Sequence, residues 1–411
     1  MFPVVLCSLK LYLHKNFYSM NRIEKDCYYH FGYTIFGPFL YGFTGWLRNH
    51  LKNDSIEKIF FFSRDGYMMQ KAYSVMDNYL FLELPHEYVY FSRNSLRHAL
   101  LWKCQSYVDS LKYLSEQRFI SFSEVASYYG LRYEDVDDIL IKVGLKWEEN
   151  ILFATLPTNG QVNFIYQACK DRINELSRRQ YDKLVCYLEQ IGMRGNCAIV
   201  DIGWHGSMQY YLECLLALSG IKANIIGYYV GVNPIVPLTG KAKGYLFHEN
   251  DLKFRKPLLC FFGGVEKLFQ SLEGSTDYYD EREGKIIPIL KPYEYADDNV
   301  IINYIKDFQK GALDYVYKAT QQHIHTENNK SLYMPLMKFG MYPTLSQTKI
   351  FRFFYTTDGK KTYFLPQKNV FCYSPKEFFL ALSNSMWKTG FMKEAFKIPF
   401  PYYWIYKFIR R

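Results

Sequence analysis

The sequence predicts an α/β fold: a mostly parallel, Rossmann-like sheet with a helical insertion and a mainly helical C-terminal region. Three observations lead there. Ile59-Phe60-Phe61-Phe62 and Cys197-Ala198-Ile199-Val200 are runs of four apolar residues, the pattern of strands buried on both faces. Each run breaks into a short polar turn, Ser63-Arg64-Asp65-Gly66 and Asp201-Ile202-Gly203-Trp204-His205-Gly206-Ser207, which leads into a helical stretch. Strand and helix signals alternate up to about residue 287, as βαβ units require.

The elements follow in order. Residues 1–25 read as an N-terminal extension. Its apolar stretch, Phe2 to Leu9, is followed by Lys10, His14 and Lys15 without a small-residue cleavage site, so a secretory signal is not expected. The uncharged run Phe31 to Leu47 is interrupted by Gly32, Gly37, Pro38, Gly42 and Gly45, and reads as a buried helix entering the core rather than a membrane span. Residues 26–121 form the first half of the α/β core. It holds a helix over Tyr41 to Leu51, the strand Ile59 to Phe62, a helix over Tyr67 to Met76 and a strand Tyr88 to Phe91. Ser92-Arg93-Asn94-Ser95 then starts another helix. Residues 122–160 form a small helical insertion. Residues 161–286 form the second half, with Tyr181, Leu184, Leu188 and Ile191 on one helical face. The strand Cys197 to Val200 ends at Asp201, a helix covers Met208 to Leu218, and a strand covers Ile225 to Val232. Residues 287–395 are mainly helical, and 396–411 form an aromatic and basic tail. At least four strands make a mostly parallel sheet.

Composition narrows the function. The 411 residues carry a net charge of +10, which suits phosphorylated substrates, anionic lipid or nucleic acid. The basic residues are scattered and no zinc-finger or RNA-binding signature accompanies them, so no nucleic-acid partner is expected. Ser123-Glu124-Val125-Ala126 with Gly130-Leu131 resembles a helix-turn-helix, a pattern common among ordinary helix pairs. Nine cysteines without a C-x-x-C pair read as buried thiols in a reducing compartment. His323 and His325 would point to different faces of a helix, which argues against a metal pair there. The tail from Phe396 to Arg411 interleaves aromatics with cations and has no acid. It suits either the interface of an anionic leaflet or packing on the protein's own surface. The expected location is the cytoplasm, with peripheral attachment to the inner face of the cell membrane.

Chemistry concentrates in three segments. In the first, Gly203 and Gly206 let backbone N–H groups approach a ligand, while Ser207 caps a helix whose N-terminus favours negative charge. Asp201 stands at the strand end, where ribose hydroxyls or a metal-bound water would sit, and His205 lies in the same turn. This pattern loosely resembles the donor loop of ordinary phosphoribosyltransferases. The second segment is Ser63-Arg64-Asp65-Gly66. Arg64 suits a phosphate or pyrophosphate clamp, and Asp65 suits a Mg²⁺ ligand or general base. Arg93 and Arg97 repeat the basic theme after the next strand. A structural ion pair and a solvated helix face are the plain alternatives. The third segment runs from Gly263-Gly264-Val265-Glu266-Lys267-Leu268-Phe269-Gln270 to Glu273-Gly274-Ser275-Thr276. It offers Glu266 as a partly buried acid and Gly274-Ser275 as a polar loop.

Taken together the segments resemble a family of bacterial surface-polysaccharide loci, often labelled predicted haloacid-dehalogenase-type hydrolases. Its two-domain members look like polysaccharide ribofuranosyltransferases. The likeness is carried by Gly37-Pro38-Phe39-Leu40-Tyr41-Gly42-Phe43, Phe62-Ser63-Arg64-Asp65-Gly66-Tyr67, Tyr90-Phe91-Ser92-Arg93-Asn94-Ser95-Leu96 and Val200-Asp201-Ile202-Gly203-Trp204-His205-Gly206-Ser207. Glu266-Lys267-Leu268-Phe269 with Gly274-Ser275 adds to it. It spans about residues 30 to 280 and points to the glycan phosphoribosyltransferase domain.

That resemblance implies transfer of phosphoribose from phosphoribosyl diphosphate to a lipid-linked glycan acceptor, with Mg²⁺ on the diphosphate. The implied catalytic residues are Asp65, Asp201, Glu266 and His205, with Asp65 and Asp201 as metal ligands. The implied phosphate-binding residues are Ser63, Arg64, Gly66, Arg93, Gly203, Gly206, Ser207, Gly274 and Ser275. One departure matters. No D-x-D-x-T phosphatase motif occurs, and Asp201-Ile202-Gly203 has Gly where a second Asp would act as acid/base. A separate phosphatase partner would therefore remove the 5-phosphate, if it is removed. The competing expectations are a phosphate-ester hydrolase and a non-catalytic module of a polysaccharide assembly complex.

Overall fold

Both faces of the predicted sheet need cover, and the chain supplies it from two directions. A computed structural model describes residues 27–409 apart from 81–82, 115–117 and 358–360. The expected N-terminal extension and the two terminal arginines lie outside the described residues. The central sheet holds five parallel strands: β1 (Lys58–Phe62), β2 (His86–Val89), β3 (Gly195–Trp204), β4 (Ala223–Val232) and β5 (Lys241–Gly244). Their spatial order is β2-β1-β3-β4-β5.

The apolar runs are explained by this arrangement. Ile59 and Phe61 join a core on one face, together with Ala198, Val200, Tyr228 and Val230. Phe60 and Phe62 join the opposite core, with Val89, Ile199, Ile225 and Tyr229. Neither face is left to water, which is why no polar alternation marks these strands.

On the first face lie α1 (Gly37–Asn53) and α2 (Gly66–Leu80). The uncharged run from Phe31 enters α1 through one π-helical turn, Gly32–Phe36, and is buried as expected. Further along the chain come α3 (Arg93–His98), α4 (Gly160–Gln190), α5 (Ser207–Ser219), α6 (Phe262–Phe269), α7 (Asn299–Gln321) and α8 (Lys330–Met341). Ile301, Ile305, Phe308, Ala312 and Val316 of α7 belong to the core shared by α1 and α2. The C-terminal helices therefore complete the first face of the sheet. The second face is covered by α4, α5 and the insertion, whose helices Phe122–Tyr128 and Asp137–Val143 contribute Val125, Tyr128 and Leu140. Among the described residues no helix is long and apolar enough to cross a membrane.

Several boundaries differ from expectation. β2 ends at Val89 instead of Phe91. The Val89 carbonyl accepts the Ser63 N–H at 2.9 Å, after which Tyr90 N–H turns to the Tyr187 hydroxyl at 3.1 Å. Ser92 then caps α3 in a reciprocal box with Ser95, so the chain has left the ladder. β3 continues past Asp201, because β4 is long enough to pair with it: Asp201 faces Tyr229, Gly203 faces Gly231 and Trp204 faces Val232. The turn is thus only His205-Gly206. Besides the two-residue pairing of Tyr355–Thr356 with Thr362–Tyr363, two small antiparallel ribbons were not anticipated. One, Phe119–Ser121 with Asn150–Leu152, frames the helical insertion. The other is the hairpin β6 (Thr276–Arg282) and β7 (Lys285–Leu290), where a helical region was expected to begin at 287. Its backbone is tied to α4 by Gln180, which accepts from Tyr279 N–H, and by Gln190, which accepts from Ile286 N–H, each at 2.9 Å.

Candidate active site at the sheet switch point

In an open parallel sheet, ligands bind at the carboxyl ends of strands where the strand order reverses. Here β1 continues outward to β2, while β3 continues the other way to β4 and β5. The reversal lies between β1 and β3. Ser63-Arg64-Asp65 leaves the end of β1, and Asp201 lies in β3 just past the residue that pairs with Phe61. The two turns singled out by sequence are thus neighbours.

Three carboxylates meet at this crevice. Loss of water raises Asp65 well above the ordinary carboxylate range, and the negative charges of Asp201 and Glu266 raise it further, against Arg64 and a hydrogen bond from Gln270. Asp65 Oδ1 is buried and has no hydrogen-bond partner among the described residues. Asp201 is 8% exposed. Burial is the largest cause that pushes its pKa up, to about 7, with Glu266 adding to it and Arg93 and backbone N–H groups of Ile202 and Gly203 opposing. Glu266, on α6, accepts the indole N–H of Trp204 at 2.8 Å, and this bond ties the third segment to the 201–207 turn. Groups that resist ionisation in a crevice are the usual mark of proton-transfer sites.

Cations act on the same site. Arg93 is exposed at the start of α3 and acts on both Asp201 and His205. His205 is held below its ordinary range by partial loss of water, then by Arg255 and Arg93. The N-terminus of α5 opens at the same turn. Its cap is Gly206, with no side-chain cap bond. Ser207 is therefore the first helical residue and not the cap that was expected, since Gly206 occupies the left-handed cap position.

The remaining predicted residues have more structural roles. Arg64 donates to Glu294 Oε2 at 2.6 Å and to the Glu273 carbonyl at 3.3 Å. Glu294 also bonds the buried Lys267. Opposing cations hold the Glu294 carboxyl below its usual range despite its burial. Arg64 thus meets the plain alternative, a structural ion pair, while its charge still acts on Asp65. Ser63 donates to the Phe91 carbonyl at 3.1 Å. The Ser63–Arg64 peptide bond is cis, and Gly66 starts α2. Gly274 and Ser275 lead into β6. A Cβ at Gly274 would lie 1.6 Å from the Lys291 carbonyl oxygen, so packing alone demands glycine there. The Ser275 carbonyl accepts the Lys291 N–H at 2.9 Å. The 271–276 segment nevertheless adjoins the site, because Ser271 N–H bonds the Arg64 carbonyl at 3.2 Å.

Sequence reading missed Glu294, Lys267, Arg255 and the Glu273 side chain. Glu273 accepts from the Tyr88 hydroxyl at 2.7 Å and from Ser271 at 2.8 Å. It stands at the head of the polar loop Glu273-Gly274-Ser275-Thr276. Glu294 gave only the faint signal of an acid between two tyrosines, Tyr293 and Tyr295.

A cleft of about 670 Å³ lies along the β5 edge and is lined by Trp46, His50, Tyr245 and Tyr333 among others. It contains none of the carboxylates above, so chemistry and strand topology, not size, locate the site. Among the described residues no group of three or more His, Cys, Asp or Glu side chains is arranged to hold a metal ion. Two carboxylates shared with substrate phosphates are the usual way Mg²⁺ is bound, and the unpartnered Asp65 oxygen beside Asp201 fits that mode. The fold and crevice define an α/β protein of Rossmann-like type with an acidic switch-point site. No family model matches the chain, and no curated protein matches it significantly.

Proposed function

We propose that the protein is a glycosyltransferase-like phosphoribosyltransferase, adding phosphoribofuranose from phosphoribosyl diphosphate to a glycan of a surface polysaccharide. The observation that carries this reading is the placement of Asp65, Asp201 and Glu266 at one crevice, within the field of Arg93 and beside the turn that opens α5. The carboxylates suit a proton acceptor beside a developing oxocarbenium ion, and the cationic rim with the helix terminus suits an anionic donor. The order of the sequence motifs, which resembles that of polysaccharide ribofuranosyltransferases, supports the same choice.

In this mechanism the acceptor hydroxyl attacks C1 of the ribose. The bond from C1 to the diphosphate oxygen breaks, diphosphate departs with the bonding electron pair, and the hydroxyl proton passes to a carboxylate. Asp201 is suited to accept it, since a base with a pKa of about 7 balances availability against strength at neutral pH. Arg93, the α5 N–H groups and the Ser207 hydroxyl would bind donor phosphates. Mg²⁺, held by the diphosphate with the unpartnered oxygen of Asp65, would supply neutralising charge for the leaving group and leave Asp201 to the proton. Trp204 positions Glu266 through its indole N–H. The acceptor would be a lipid-linked glycan, and a separate phosphatase would act later on the 5-phosphate.

The test is incubation of the protein with phosphoribosyl diphosphate, Mg²⁺ and a panel of synthetic glycan acceptors, followed by mass spectrometry. An acceptor gaining one phosphoribosyl group, with diphosphate released in equal amount, is the expected result. Release of inorganic phosphate from ribose 5-phosphate esters with no transfer would replace the proposal by a hydrolase.

A further inference from the structure

The C-terminal end of the chain carries a surface that the fold does not explain. Three helices form it: α9 (Pro375–Asn384), α10 (Lys388–Phe396) and α11 (Tyr402–Ile409). Of the 25 large hydrophobic residues exposed among the described residues, 10 lie between Phe371 and Ile409. That is four-tenths of them in a tenth of the chain, so the apolar exposure is concentrated and not the ordinary scatter of single residues.

The helix α11 is the clearest part. Its sequence, Tyr402-Tyr403-Trp404-Ile405-Tyr406-Lys407-Phe408-Ile409, is apolar almost all round, a composition normally found in buried helices. Among the described residues one side packs against the protein: Tyr402, Tyr403 and Tyr406 are buried, and Tyr403 meets Tyr342 edge-on at 5.7 Å. Trp404 is 68% exposed on the other side, and Ile409, at the helix end, is 71% exposed. The apolar surface continues to α9 through a chain of rings, Tyr402 to Phe396 at 6.1 Å and Phe396 to Phe378 at 5.6 Å. There Phe379 and Leu380 are exposed, and α9 has no fully buried residue at all.

Charge selects the occupant. From residue 367 to 409 the chain has six lysines (Lys368, Lys376, Lys388, Lys393, Lys397 and Lys407) against two acids (Glu377 and Glu394). Lys388 and Lys393 spend their ammonium groups on backbone carbonyls, whereas Lys397 and Lys407 flank the exposed aromatics. Aromatic side chains beside lysines, with one helix side already docked, match a bilayer surface of negative charge: rings enter the headgroup boundary and ammonium groups meet lipid phosphates. We propose that α9 and the outer side of α11 form a docking surface for an anionic lipid bilayer, on which the protein sits without spanning it. The surface is independent of the chemistry at the switch point.

Co-sedimentation of the full chain with phosphatidylcholine vesicles, with and without phosphatidylglycerol, tests this. Binding to the phosphatidylglycerol vesicles that falls with added salt is expected, together with weak binding to phosphatidylcholine alone. The paired substitution Trp404→Ser with Phe379→Ser should weaken it by about tenfold or more, because two rings no longer enter the interface. Both positions are exposed, so unchanged circular dichroism and melting temperature would show that the fold persists. No binding to either vesicle, equal binding by the substituted protein, or equal binding to both lipids regardless of salt would overturn the proposal. So would sedimentation velocity showing that the same surface instead joins two copies, with the substituted protein monomeric.

Discussion

Asp201 carries an unusual cost at the scale of single residues. A carboxyl whose pKa is raised to about 7 in the folded protein binds its proton more tightly there than in the unfolded chain. The sign follows directly. Between the ordinary carboxylate range and pH 7 the folded state holds more protons, so stability from this group is full in acid and is lost as pH rises through 7. Asp65 shifts in the same direction for the same reasons. Asp201→Asn should therefore be more stable than the parent at pH 8, by roughly 2–4 kcal/mol, with the gain vanishing below about pH 4. Thermal melts across pH check this, and a variant less stable than the parent at pH 8 would contradict the burial of that charge. Turnover should move the other way. Activity should rise with pH through about 7 as Asp201 loses its proton, and that limb should be absent from the Asp201→Asn protein.

Two elements hold the crevice in shape. The first is the end of β3. Gly203 has φ of +103°, and a Cβ there would lie 2.6 Å from the Gly231 carbonyl oxygen of the neighbouring strand. Gly203→Ala should destabilise by roughly 2–4 kcal/mol, measured by urea unfolding, since both backbone strain and a clash against a paired strand oppose it. The second element is the buried set Arg64–Glu294–Lys267, which links the β1 turn to α6 and the segment after β7. Glu294→Gln would leave two buried cations poorly compensated, and should cost about 3–5 kcal/mol in the same measurement. A change below about 1 kcal/mol would mean the cations relax to solvent.

At this scale the sequence was informative in proportion to how local the signal was. Phe60, Phe62 and the matching β3 residues announce strands buried on both faces, because the pattern lies within a few consecutive positions. The Asp201–Ser207 turn announced itself by its glycines. The extension of β3 to Trp204 did not, because it depends on the length of β4, which pairs across the sheet. The Arg64–Glu294 bond spans 230 positions, so Arg64 looked free for phosphate when read alone.

For the whole molecule, the expected α/β architecture is present: five parallel strands in an order that reverses at β1 and β3. The sequence also marked the C-terminal region as helical, but not that α7 covers the same sheet face as α1 and α2, a pairing of distant segments with no local mark. The same topology brings Asp65, Asp201 and Glu266 together from three parts of the chain, and the proposed transferase site rests on that convergence. The most direct measurement is the phosphoribosyl transfer rate of the parent, Asp65→Asn, Asp201→Asn and Glu266→Gln proteins, followed by mass spectrometry of the acceptor. The account predicts transfer by the parent and a loss of about 100-fold or more in the Asp65 and Asp201 variants, with folded structure retained. Full transfer by both Asp variants, or none by the parent with any acceptor, would contradict it.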